Sequence, residues 1–357
     1  VEGEAVAEVL EILKSYKDSS RTGYFIEVDF EVPDHIHDVF DFAPVSKRLV
    51  DPGELSEHTH CIGSLLGAPT PSPKLIPFLG KRTQVLYHTA LLKFWVDMGC
   101  VITKVHNVWS YTQSPWLAKY ILGMARKRAL STDPIDRECS KKAMTSLYGE
   151  MLQDKSKQRN LIPYTSARAF VRACSRENCV SFEVKQYDSP GVGFFGLVET
   201  SKKGGALLNM PRAAGFSILD LSKLLVLRFR FYWFKTKFEI RCTLLLTDTD
   251  SLVYHITCKC IAEEMVSAVN FYFDLQEALS PPDIYRLCDG NPYKIANLIK
   301  ELADKKGELG AMKLENKTSF IQEYVGLAAK MYSLKMVSHA DHNGDEKGDG
   351  VIEEYRK

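Results

Sequence analysis

"TLLLTDTDSLVYHI", residues 243–256, places two aspartates one residue apart between two apolar runs. Thr243–Leu246 and Leu252–Ile256 are short, apolar and bounded by turn residues, so both read as strands. Asp248 and Asp250 then sit at a hairpin tip. In extended backbone residues i and i+2 project to one side, so the carboxylates are expected to point together if strand geometry continues into the tip. Two like charges so close call for a cation. Hard oxygen ligands suit Mg²⁺, which keeps several waters and accepts substrate phosphates as further ligands. Taken alone, Asp-Thr-Asp-Ser is also ordinary turn chemistry, because short polar side chains bond nearby backbone amides. A nucleotidyl-transfer reading therefore needs partners elsewhere in the chain.

The 357 residues are 45% hydrophobic, enough for one large domain or two intimate subdomains. A formal charge of +1 supplies no global basic field, so any nucleic-acid contact must come from local clusters. Nine cysteines at irregular spacings include no C-x-x-C pair. That excludes a zinc ribbon, argues against a disulfide framework, and favours reduced thiols in an intracellular compartment that the sequence does not further specify. No membrane partner is expected: Asp220, Lys223 and Arg228 interrupt the longest apolar candidate, and no signal peptide opens the chain. The first residue is valine rather than methionine, which permits the chain to be a fragment of something longer.

Along the chain, residues 4–14 carry Val6, Val9, Leu10 and Leu13 at helical spacing. In "YFIEVDFEVP", Ile26, Val28, Phe30 and Val32 alternate with Glu27, Asp29 and Glu31, the pattern of a half-buried strand with a solvated acidic face. "APTPSPKLIP", 68–77, reads as a connection; 83–98, 114–125 and 134–153 read as helices, with a strand in "MGCVITKVHNVW". "CVSFEVKQYD" is expected to be a strand, and "GFSILDLSKLLVLRFRFYWFKTKF" a long apolar helix with a basic end. A helix near 292–304 and a strand in "SFIQEYVGL" follow, and the polar, Gly-rich tail from Ser338 is expected to be poorly ordered.

A partner for the aspartates lies in "KKAMTSLYGEM", residues 141–151. On a helix Lys141, Thr145 and Tyr148 share a face at i, i+4, i+7, so an ammonium, a hydroxyl and an aromatic ring meet one ligand. Lysine suits a triphosphate as a point charge, and the ring packs on sugar or base. Arg128, with Arg126 and Lys127, extends the positive surface. An ordinary amphipathic helix with Lys141 solvated is the competing description.

"LLLTDTDSLVYHI" resembles motif C, and "KKAMTSLYG" motif B (K-x-x-x-N-S-x-Y-G), of family B DNA polymerases of the protein-primed type found in organellar plasmids, viruses and self-synthesising transposons. "GYFIEVDFEVPDHIHD", "KLIPFLGKRTQVLYHTALLKFWVDMG", "QSPWLAKYI", "AAGFSILDLSKLL" and "IQEYVGLAAKMYSL" resemble further blocks in the same order, from about Gly23 to Leu334. The resemblance implies an α+β fold: a palm with an antiparallel sheet carrying the hairpin, and helical fingers. It divides the chain into a lead-in helix (1–22), a palm extension that engages a terminal priming protein (23–84), fingers (85–155), palm (156–334) and a disordered tail or truncated thumb (335–357). It implies two Mg²⁺ ions with Asp250 as principal ligand and Asp248 as its partner, Thr249 and Ser251 shaping the turn with Ser251 near DNA, Lys141 on the incoming dNTP, and Tyr148 with Gly149 as nucleotide floor beside Thr145 and Arg128. "KMY", Lys330 to Tyr332, is similar to the K-x-Y motif that steadies the primer end of a DNA primer–template.

Departures from the family pattern bear on activity. Motif A (D-x-x-x-L-Y) does not occur between Val1 and Gly23, and neither an exonuclease domain nor most of a thumb is present. Thr145 stands where the family has Asn, and Glu150 replaces a basic residue. The rival expectation is a non-catalytic remnant that binds DNA or a protein. An unrelated Mg²⁺ phosphohydrolase explains the hairpin but not the Lys141 helix. Three decoys are set aside: a zinc site from His35, His37, His58, His60 and Cys61; a calcium loop at "DEKGDGVIEEYR", spoiled by Lys347 and Arg356 at ligand positions; and single-strand binding by "FRFYWFKTKF", whose apolar half reads as core.

Overall fold

The computed structural model describes residues 2–66, 73–186, 194–201, 209–258, 261–267, 273–275, 279, 281–313, 319–328, 331–338 and 354–356. It is a mixed α+β chain with small, mostly antiparallel sheets. Two compact units form, one from Val1–Gln113 with Leu221–Lys357 and one from Ser114–Asp220.

In the first unit Thr22–Glu31 is the central strand of three, antiparallel to Arg82–His88 on one side and Val101–Thr112 on the other. Ile26, Val28 and Phe30 are fully buried, as their alternation with acids predicts. They meet the helix Thr89–Asp97 through Leu92, Phe94 and Trp95, and Val9 and Leu13 of the helix Glu2–Ser15. The acidic face is not simply solvated. Asp29 lies 2.6 Å from His106 Nε2 and accepts the Gln84 N–H at 2.9 Å, while Asn107 donates to Glu27 at 2.6 Å. Gln84 reaches Asp29 because it sits at φ 51°, where the pairing register shifts between Val28 and Phe30.

The single helix expected over 83–98 divides at His88. Arg82–His88 is a strand, and the helix begins at Thr89. Thr83, Val85 and Tyr87 favour sheet, and the His88 ring accepts the Ala90 N–H at 3.2 Å, which caps the helix that follows. His88 is buried among the rings of Tyr16, Phe25 and Tyr111. Arg82, also buried, donates to the carbonyls of Gly80 (2.8 Å), Pro44 (2.9 Å) and Phe78, with its guanidinium over the Phe78 ring at 4.2 Å. Those bonds fasten the chain around the hairpin Val45–Arg48 with Lys74–Pro77. The connection expected over 68–77 is therefore strand at its end, where Ser46↔Ile76 pairing supplies the backbone partners; 67–72 lie outside the described residues.

A second core lies beyond the helix Arg212–Arg228, which continues as a π-helical turn Phe229–Lys235 and then Thr236–Phe238. Residues two apart fall on opposite sides of a helix. Phe231 accordingly joins Leu224 and Leu227 in the first core, whereas Phe229 and Trp233 pack in the second with Phe238, Phe273, Leu298 and Leu302. Phe229, Phe231, Trp233 and Phe234 are therefore core, while Tyr232 is exposed. The strand Glu354–Arg356 pairs with Met331–Ser338, so the tail expected to be disordered supplies strand at 335–338 and 354–356, where Leu334↔Tyr355 pairing satisfies the backbone; 339–353 lie outside the described residues.

In the unit Ser114–Asp220 the helices Ala118–Leu130 and Pro134–Leu152 pack together, with Asp133 capping the second through the Ile135 N–H at 3.0 Å. A sheet in the order Arg159–Tyr164, Phe194–Ser201, Cys179–Gln186 is covered by the helix Ala167–Cys174 through Phe170 and Val198. Residues 85–113, grouped with the following helices on sequence, instead complete the N-terminal sheet.

Burial depresses the His88 pKa from 6.5 to about 4. The neutral ring is the form the fold stabilises, so its contribution is complete above pH 6.5 and lost as pH falls toward 4; the total is about 3 kcal/mol. Urea unfolding across that window is expected to show a steeper loss of stability in the native protein than in His88→Asn. Parallel curves would contradict the buried neutral ring.

Candidate metal and nucleotide site

The hairpin forms where the sequence places it, from Cys242–Asp248 and Ser251–Ile256, with Asp248 opposite Ser251 and Thr249-Asp250 as the two-residue connection. Thr249 has φ 58°, and the Asp250 N–H donates back to the Asp248 carbonyl at 2.7 Å. This is a γ-turn centred on a β-branched residue. Left-handed backbone costs such a residue about 1–2 kcal/mol, and strain of this kind gathers at functional sites. Strand geometry stops at Asp248, so the two carboxylates do not share one strand face as their spacing predicts. The turn folds Asp250 back over the end of the strand. Asp248 is half-buried, whereas Asp250 and Ser251 are exposed. Among the described residues the pair is two-stranded by itself rather than part of a wider sheet.

Below the tip, Leu246 pairs with Val253 but Leu244 with Tyr254, so Leu245 is a bulge. Its carbonyl accepts the Tyr324 hydroxyl at 3.2 Å. At the base, Arg230 Nη1 donates to Cys242 Sγ at 3.5 Å, and the guanidinium lies 5.3 Å from the centre of the Tyr254 ring. Arg230 is fully buried, and its charge is met by Asp41 through Nε–Oδ1 at 2.9 Å and a second contact from Nη2 to Oδ2. Tyr254 stacks on Phe234 with centroids 4.1 Å apart. Burial pushes both the Tyr254 hydroxyl and the Cys242 thiol above their ordinary pKa values, with Arg230 opposing. Neither group is an activated nucleophile. The hairpin is thus anchored at one end by a buried charge, while its other end presents carboxylates.

Lys141, Thr145, Tyr148 and Gly149 all lie on exposed parts of the helix Pro134–Leu152, whose buried residues are Ser140 and Met151. Lys141 Nζ is 3.9 Å from Glu138 Oε2, a loose pairing of exposed side chains that adds little stability. The Thr145 hydroxyl donates to the Lys141 carbonyl at 3.1 Å, so its proton is engaged within the helix and its oxygen is what a ligand would meet. Open space surrounds Gly149. Arg128 stands exposed in the last turn of Ala118–Leu130 beside Lys127, where cations also complement the helix dipole. Tyr332 lies in the strand Met331–Ser338, half-buried and opposite Gly326; Lys330 lies outside the described residues.

Among the described residues no three His, Cys, Asp or Glu side chains gather as a metal centre. His35 and His37 fall in the turn Asp34–Val39, where His37 Nε2 is 2.9 Å from the Val32 carbonyl, and Cys61 lies on the helix Glu57–Leu66. Sequence reasoning missed Arg230, Asp41 and Tyr324. Arg230 carried one signal, a charge flanked by Phe229 and Phe231 within an apolar run; a bulge partner such as Tyr324 carries none. No protein-family model, no curated protein and no solved structure matches this chain.

The Arg230–Asp41 pair is asymmetric, with the arginine side chain at 0% exposure and the aspartate at 32%. Removing the aspartate strands a buried charge, whereas removing the arginine leaves a carboxylate that water reaches. Asp41→Asn is expected to cost about 3 kcal/mol and Arg230→Met about 1 kcal/mol in urea unfolding. Equal costs would contradict the asymmetry.

Proposed function

We propose that this chain is the palm and fingers portion of a protein-primed family B DNA polymerase, and that its hairpin tip holds divalent cation for dNTP binding. The observation that carries the reading is the tip itself: Asp248 and Asp250 flank a strained threonine at the exposed end of a hairpin anchored at its base by a buried arginine. The donor chemistry fits Mg²⁺, since two carboxylates at an exposed tip leave room for waters and phosphate oxygens. Bound there, the metal would supply charge stabilisation to the transferring phosphoryl group.

The residues of the chain then divide the remaining work. Asp248 and Asp250 hold the cation. The motif B resemblance assigns Lys141 to a triphosphate, Tyr148 with Gly149 to the sugar and base, and Arg128 to added positive field, each exposed on its own helix. The K-x-Y resemblance assigns Tyr332 and Lys330 to the primer end, and residues 23–84 to a priming protein. Positioning and charge neutralisation are the catalytic devices in such a site, for the attack of a primer 3′ hydroxyl on the α-phosphate.

A second reading is favoured by one observation: two carboxylates stand at the tip with no third beside them among the described residues. On that reading the chain folds and binds DNA or a protein but transfers nothing. The same shortfall leads to the expectation that these 357 residues do not extend a primer unaided.

The test is dNTP binding by the chain as it stands, followed by fluorescence titration with and without Mg²⁺. Binding that needs Mg²⁺ and weakens at least tenfold in Asp250→Asn is expected, a loss of about 1.4 kcal/mol or more. Metal-independent binding, or equal affinity in the variant, removes the cation from the tip. Salt-sensitive DNA binding alone supports the remnant.

A further inference from the structure

We propose that Tyr324 is a positioning residue that fixes the aspartate hairpin to the hairpin carrying Tyr332, so that the cation-binding tip and the primer-facing strand move as one body. The inference rests on the functional reading above and adds to it a residue that touches neither metal nor nucleotide.

Three observations converge. First, the bulge removes the carbonyl of Leu245 from the two-stranded ladder, three residues before Asp248, and the Tyr324 hydroxyl takes it at 3.2 Å. A half-buried backbone carbonyl without a partner is costly, so the bulge and the hydroxyl belong together. Second, Tyr324 comes from the strand Ser319–Ala328, which pairs with Met331–Ser338, and Gly326 of that strand lies opposite Tyr332. Third, the Tyr324 ring reclines along its own strand over Gly326. A Cβ at 326 would sit 2.7 Å from Tyr324 Cζ, well inside contact distance, and closer still to the hydroxyl. Glycine at 326 is therefore the space the bridge occupies, and that space is beside Tyr332.

The consequence is mechanical. Among the described residues no further strand pairs with the aspartate hairpin, so side-chain contacts set its angle. Arg230 grips its base at Cys242 and Tyr254, and Tyr324 grips it midway, on the tip side of that base. Leu252, Tyr254 and Ile256 pack one strand of the hairpin on the second core, and the Tyr324 hydroxyl adds the polar attachment on the other strand, three residues from Asp248. Loss of the outer attachment is expected to loosen the tip without unfolding the core.

The experiment compares the 357-residue chain with Tyr324→Phe, which deletes only the hydroxyl, and Gly326→Ala, which displaces it. Val325→Ala, on the opposite exposed face of the same strand, is the control. Hydrogen exchange is followed in peptides covering 242–256, and Mn²⁺-dependent dNTP affinity is measured in parallel. Both bridge variants are expected to exchange roughly fivefold faster across 242–256 and to bind Mn²⁺–dNTP about tenfold more weakly. Peptides of Thr22–Glu31, the melting temperature and the control should remain as in the native protein. Unchanged exchange across 242–256 in both variants overturns the bridge. Faster exchange with unchanged Mn²⁺–dNTP affinity reduces Tyr324 to a structural contact and overturns the positioning role. If the native chain itself binds no Mn²⁺–dNTP, the nucleotide reading fails by that result, and the exchange measurement alone decides whether Tyr324 holds the hairpin.

Discussion

A single guanidinium, that of Arg230, sits without solvent exposure in a helical turn flanked by Phe229 and Phe231. A charge so placed must be fully compensated, and its compensation comes from three directions: Asp41 of the N-terminal segment, the Cys242 sulfur at the start of one hairpin strand, and the Tyr254 ring on the other. The same turn is the wall between two hydrophobic cores, one under the N-terminal sheet and one beneath the hairpin. Much of the first unit's architecture follows from satisfying that one buried cation between two apolar masses. The π-helical form of Phe229–Lys235 fits this setting, since wider helical turns recur where side chains are placed for function.

From that anchor the hairpin runs over the second core, on which Leu252, Tyr254 and Ile256 pack, and its chemistry changes along its length. Cys242, buried, and Tyr254, half-buried, lie at the base, where burial raises both pKa values and favours their neutral forms. The bulge at Leu245 interrupts the ladder midway, and the tip closes through a left-handed threonine. A stable base therefore supports a strained, polar end, the distribution expected when precision is needed at one point and stability is supplied elsewhere. The Lys141 helix follows a different logic. It buries little, is capped by Asp133 and Pro134, and shows most of its side chains to solvent.

The hairpin was legible because two apolar runs with turn residues between them admit few alternatives, and the burial of Ile26, Val28 and Phe30 was legible from alternation alone. The error over residues 83–88 has a local cause: "TQVLYH" carries apolar residues at spacings that suit either period, and only the sheet partner Thr22–Glu31 and the His88 cap decide between them. The acidic face of that strand was misread because its partners, Gln84, His106 and Asn107, are brought by neighbouring strands rather than by sequence neighbours. The tip was half legible. Residue types announced carboxylates together, but the γ-turn at Thr249 depends on backbone dihedrals that a β-branched residue ordinarily avoids. Arg230 with Asp41, separated by 189 positions, and Tyr324 with Leu245, separated by 79, are products of the fold that no local pattern encodes.

The central claim is that Asp248 and Asp250 form a divalent-cation site. Paramagnetic Mn²⁺ locates such a site directly, because it broadens the NMR signals of amides close to it. Titrating Mn²⁺ into the isotopically labelled chain in the presence of dNTP should first broaden the amides of residues 247–251, with Mg²⁺ competing the effect away and Asp248→Asn abolishing it. Broadening centred on another carboxylate cluster, or diffuse broadening that Asp248→Asn leaves intact, would contradict the claim.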